Sequence, residues 1–235
     1  MSKKLFFVLL VLFGITLSLS AQTHDNQQKS TSATKFLGIP IDGTKKDMIQ
    51  KLINKGYEYD SNYDCLEGEF NGYRVKLHVV TNNNKVYRIL VEDARYISET
   101  DIKIRFNRLC KQFSNNERYI SLKNYEIPDE EDISYEITVH NKRYEASYYQ
   151  TEKLTDTLAI KKEMQELVFN KYGKDKNIED LTESETIEIT LDYLLFYIEK
   201  YSNNSVWFMI DDGYAGYKIL MYYDNLNNQA NGEDL

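Results

Sequence analysis

Proline and cysteine are nearly absent from this chain, two of each in 235 residues, and glycine is held to ten. So little proline and glycine, beside 13% aromatic residues, excludes collagen-like, linker-like and wholly disordered chains. Two cysteines exclude a disulfide-dense scaffold, and with three scattered histidines they fit no four-ligand zinc site. Basic residues are also in deficit, 29 Lys and Arg against 37 Asp and Glu, for a net charge of −8. A nucleic-acid partner is therefore not expected, since its affinity comes mainly from cations on phosphates. An anionic membrane surface is disfavoured for the same reason. No Gly-x-Ser-x-Gly, phosphate-binding glycine loop or twelve-residue calcium loop occurs, so no catalytic motif, metal site or cofactor is expected.

What is present begins with a leader. Lys3 and Lys4 precede an apolar run from Leu5 to Leu17, followed by the small residues Ser18, Ser20 and Ala21. This is the pattern of a signal peptide over residues 1–20, cut after Ser20. The run is shorter than the roughly 18 residues of a bilayer-spanning helix, so no transmembrane span is expected after cleavage. No cysteine stands at the cut, which argues against a lipoprotein. The expected location is the periplasm or the exterior. Residues 21–35 carry no large apolar side chain and read as a flexible tether.

The rest predicts an α+β fold: antiparallel hairpins and meanders with helices packed on one face. Thr44 caps a helix over about 44–55, with Met48, Ile49, Leu52 and Ile53 on one stripe. Asn71-Gly72 is a strong two-residue hairpin signal, since both positions of a type I′ turn require positive φ. That turn pairs Phe70 with Tyr73, Glu69 with Arg74 and Glu67 with Lys76, gathering apolar groups on one face and opposite charges on the other. A third strand is expected near 85–92 and a helix over about 99–114. Tyr135, Ile137 and Val139 alternate as a strand and predict a second hairpin returning through Tyr144 to Tyr149. Helices near 157–172 and 184–201 and a final hairpin from Val206 to Tyr223 complete the pattern. These elements divide into lobes at 36–115 and 116–223 with a polar tail at 224–235, one continuous sheet through both remaining the alternative.

Three segments carry a resemblance. They are Phe36 to Thr44 (Phe-Leu-Gly-Ile-Pro-Ile-Asp-Gly-Thr), Asp101 to Phe113, and Val206 to Ile210 with Tyr223 to Asn225. Their pattern resembles that of small exported proteins of Bacteroidota, generally of unassigned function. The resemblance implies location and fold, and no catalytic residues. A weaker architectural likeness joins the Gly-x-Pro segment, capped helix and meander to beta-lactamase-inhibitor-like and outer-membrane assembly lipoprotein modules.

Two groups of residues are candidates for chemistry. The Asn-Gly register sets Cys65 opposite His78, and a thiol beside an imidazole can become a nucleophile. Alternatively Cys65 bridges Cys110, as export permits, or both are structural thiols. Trp207, Tyr214 and Tyr217 crowd the last hairpin, and exposed aromatics there suit a sugar or protein surface. Three functions follow: an exported non-catalytic binding protein with an envelope protein or glycan as partner, a thiol-dependent enzyme using Cys65 and His78, or a carbohydrate-binding protein. N-terminal sequencing of the exported protein is expected to begin at Ala21; a chain that keeps residues 1–20 contradicts the leader.

Overall fold

A computed structural model describes residues 32–151 and 157–230. The chain opens with a small hairpin, β1 (Lys35–Phe36) and β2 (Ile39–Pro40). Helix α1 (Lys45–Ile53) follows, capped as expected by Thr44, whose hydroxyl accepts from the Asp47 amide at 3.2 Å. Then come β3 (Glu58–Asp60), β4 (Cys65–Phe70), β5 (Tyr73–Asn82) and β6 (Lys85–Asp93). Asn71 and Gly72 adopt φ 53° and 77°, and the strands pair in the predicted register, Phe70 with Tyr73, Glu69 with Arg74 and Leu66 with Leu77.

Helix α2 (Glu99–Ser114) buries the expected stripe of Ile102, Phe106, Leu109 and Phe113. Strand β7 (Tyr119–Ile120) leads to helix α3 (Ile133–His140). A strand was expected there, and the difference has a local cause. The Asp132 carboxylate accepts from the Tyr135 amide at 2.8 Å, and Glu99 of α2 accepts from the Ile133 amide at 2.8 Å. Asn141 at φ 51° ends the two-turn helix that follows. Ile133 is buried and Ile137 packs on the core, a spacing of four that serves a helix as well as alternation serves a strand. Capping decided between them.

Strand β8 (Glu145–Gln150), helices α4 (Thr157–Tyr172) and α5 (Glu183–Lys200), and strands β9 (Ser205–Gly213) and β10 (Gly216–Asp224) complete the chain. The α4–α5 hairpin lies in sequence between β8 and β9, which are neighbours in the sheet. It holds a small cluster of its own around Met164, Val168 and Ile189. Thr182 and Glu185 cap α5 reciprocally.

Eight strands form one antiparallel sheet in the order β3-β4-β5-β6-β10-β9-β8-β7. The pairing of β6 with β10, Val91 opposite Met221, carries this sheet across the division drawn between residues 115 and 116. Helices α1 and α2 contribute Met48, Leu52, Ile102 and Phe106 to a core shared with Leu77, Ile89, Phe208 and Met221 of the sheet. Burying one such side chain is worth about 1.5–3 kcal/mol.

Order also reaches beyond the bounds set for the tether and tail. Thr34 is buried and donates its hydroxyl to the Asp224 carbonyl. Asn225 is buried and donates to the Ile41 carbonyl at 2.8 Å. Each polar terminus satisfies backbone groups of the other, so neither needs large apolar side chains to be held. Residues 1–31, with the leader, lie outside the described residues.

Inside this core sits one ion pair. Arg105 of α2, 2% exposed, meets Asp93 of β6, 6% exposed, through two hydrogen bonds of 2.5 Å. The Tyr73 ring lies 3.4 Å from the guanidinium carbon, and the Ile219 amide of β10 donates to the same carboxylate at 3.3 Å. Removing one partner strands the other charge in the core, so Arg105→Ala is expected to destabilise by about 3–5 kcal/mol in urea unfolding. The exposed Lys45–Asp64 pair at 2.5 Å serves as comparison, Lys45→Ala costing about 1 kcal/mol or less. Equal effects at the two sites contradict the core role of Arg105.

Candidate functional site

Alternation along each strand gives the sheet two faces. Ile89, Val91, Ile219, Met221, Phe208 and Ile210 point to the helices and are buried. Leu90, Leu220, Tyr222, Trp207 and Met209 point the other way and are half-buried. Register ties them into two rows: Leu90 opposite Tyr222 opposite Trp207, and Leu220 opposite Met209. None of the five packs against either cluster of buried residues.

Trp207 stands at the centre of this face. Its indole stacks on Tyr222 with centroids 4.0 Å apart and planes at 12°. The indole N–H donates to Asp224 at 3.0 Å. Asp224 also takes two bonds from Arg88, of 2.6 and 2.8 Å, and the Arg88 guanidinium lies 4.8 Å from the Tyr222 centroid. A buried carboxylate, a bidentate arginine and two stacked rings make a rigid patch.

Beside it runs a charged relay. Glu92 meets the Lys218 ammonium at 2.6 Å and His78 Nε2 at 3.1 Å. Burial is the largest single influence on the Glu92 carboxylate and works against it, but the hydrogen bonds and charges of Lys218 and His78 together outweigh burial and lower its pKa. Asp211 lies 3.7 Å from the same Lys218.

The nominated aromatics are not gathered on one surface. Trp207 points to the open face. Tyr217 packs against the core on the other face, its hydroxyl 2.9 Å from that of Ser134. Tyr214 is fully exposed at the hairpin tip.

The thiols are placed as follows. Cys65 opens β4, one position beyond the Leu66–Leu77 pair, and is 1% exposed. No hydrogen bond joins it to His78, whose Nε2 is turned to Glu92. Burial raises the Cys65 thiol pKa, against a smaller opposing pull from Lys76. Cys110 lies in the core cluster, where burial pushes its thiol from the ordinary 9.0 up to about 12. Both cysteines are free. A raised pKa keeps sulfur protonated at neutral pH, the reverse of what a nucleophile requires.

Among the described residues no group of three or more His, Cys, Asp or Glu is arranged to hold a metal ion. No described helix is long and apolar enough to cross a membrane. Sequence reasoning passed over Arg88 and Asp224, the latter assigned to the tail. The available signal was the period-two alternation of β10, which sets Asp224 two places beyond Tyr222 on the same face as Trp207. No family model, curated protein or solved structure matches the chain.

Iodoacetamide is expected to label neither cysteine readily in the folded protein at neutral pH, and both after denaturation. Above about pH 9 the unfolded Cys110 ionises while the folded one stays protonated, so this residue favours unfolding progressively up to about pH 12. Fast labelling of Cys65 at pH 7 in the folded state contradicts this placement.

Proposed function

We propose that the chain is an exported, non-catalytic interaction protein of the cell envelope, whose partner is a protein docked on the open face of the sheet. The observation that carries this reading is the two half-buried rows, Leu90, Tyr222 and Trp207 beside Leu220 and Met209, packed against neither cluster of buried residues. Aromatic and aliphatic groups held rigidly at the centre of a surface, with arginine among them, are what interface hot spots are made of. Here the rigidity comes from the Arg88–Asp224–Trp207 bonds, so little side-chain entropy is lost on docking. Lys218, Glu92 and Asp211 supply a charged rim of both signs. Export rests on the leader in residues 1–20 and on the resemblance to exported proteins of unassigned function. The thiol-enzyme reading has less support, because both sulfurs are buried with raised pKa values. The sugar-platform reading has less support, because one face of Trp207 is taken by Tyr222.

The test is cross-linking and affinity capture from envelope extract with the mature chain and with a Met209→Arg, Leu220→Arg variant. Both positions point away from the core, so the variant is expected to keep its circular dichroism spectrum. A specific partner is expected to bind the wild-type chain and to lose about tenfold or more in affinity for the variant. A partner that binds both equally, or the absence of any partner across a range of salt concentrations, overturns the reading.

A further inference from the structure

A second surface is lined by none of the open-face residues Leu90, Trp207, Met209, Leu220 and Tyr222. A cleft of about 610 Å³ opens beside the β1–β2 hairpin and the paired ends of β7 and β8. Clefts of this size take small molecules. One wall is apolar and aromatic, formed by Leu37, Phe70 and Tyr119. The rim carries Lys35 and Arg118, both exposed and neither with a carboxylate partner among the described residues.

The cleft also contains an unmet hydrogen-bonding demand. Asn204 lines it and is 3% exposed. Asn204 Oδ1 has no hydrogen-bond partner among the described residues, whereas Thr151 shares a side-chain hydrogen bond with Tyr197. The neighbouring Gln150, by contrast, is fully engaged. Its Oε1 accepts from the Lys35 amide at 2.6 Å, and its Nε2 donates to the Lys35 carbonyl and the Tyr119 hydroxyl, each at 2.9 Å. Gln150 holds the hairpin, while the side-chain carbonyl of Asn204 holds nothing among the described residues. A buried acceptor left unpaired is a cost that a donor from a ligand removes.

We propose that this cleft binds a small hydroxylated carboxylate of the sugar-acid class. Its carboxylate meets Lys35 and Arg118, a hydroxyl donates to Asn204 Oδ1, and its carbon frame lies on Phe70 and Tyr119. Carboxylate recognition by a guanidinium supplies orientation, and the hydroxyl donor supplies selectivity over simple carboxylates. The site is independent of the sheet face, so either proposal can fail without the other.

The test is an amide-resolved NMR titration of the mature chain with D-glucuronate, D-glucose, acetate and acetyl-alanyl-alanine. Saturable shifts at residues 116–119, 150–151 and 204 are expected with glucuronate, at a Kd of about 1 mM or tighter. Glucose and acetate are each expected to bind about tenfold more weakly or worse. A Lys35→Gln, Arg118→Gln variant changes only exposed side chains and is expected to lose the glucuronate preference while keeping its fold. Asn204→Ala is expected to weaken glucuronate without affecting acetate. Equal binding of glucuronate, glucose and acetate overturns the proposal, as does full retention in the double variant. Tighter binding of the acetylated dipeptide reassigns the cleft to peptide and overturns it too. So does the absence of any saturable shift, with ordered water alone on Asn204.

Discussion

The ion pair between Arg105 and Asp93 ties together the parts of the molecule that sequence separates. Asp93 ends β6, Arg105 sits in the middle of α2, Tyr73 begins β5, and Ile219 belongs to β10. Burying two charges is expensive, and their attraction offsets the cost only when geometry is good and remaining lone pairs are satisfied. Both conditions hold: the pair is bidentate, a ring covers the guanidinium, and a backbone amide shares the carboxylate. Such a pair contributes less to net stability than to uniqueness, because any other docking of α2 leaves a charge alone in the core.

From that constraint the two faces of the sheet follow. With α2 seated over β6 and β10, the inward residues are covered and the outward ones are left to other uses. The same strands that bury Ile89 and Met221 therefore display Leu90 and Tyr222. A second ion pair, Arg88 with Asp224, does on that face what the first does inside, fixing Trp207 and Tyr222 in one stacked arrangement. The final strand thus serves both pairs, through Ile219 near its middle and Asp224 at its end. Its last residues also receive Thr34, so the N-terminal segment is held in place before the first strand begins. The cleft with Asn204 and Arg118 exists because that segment is pinned against β7 and β8 by Gln150.

Much of this was legible locally. A two-residue turn that demands positive φ at both positions dictates the register of β4 and β5, and Thr44 and the stripe of α2 announce their helices. Residues 133–140 were not legible, because apolar groups at 133 and 137 suit a helix and those at 135, 137 and 139 suit a strand. Asp132 and the distant Glu99 resolved that tie, and Glu99 is invisible to any short window. The candidate sites divide in the same way. The turn's register reaches as far as Leu66 opposite Leu77, and the sequence carries no sign that the neighbouring His78 turns to Glu92.

By itself the sequence determined the antiparallel α+β character, the helical stripes and the hairpin registers, because each depends on residues within a turn or two of one another. Only the tertiary structure decided that one sheet runs through both halves and, among the described residues, which cations are paired and which polar atoms are buried without a partner. Those outcomes depend on β6 meeting β10 across more than a hundred residues of chain, and no local pattern encodes which distant strand will complete an edge.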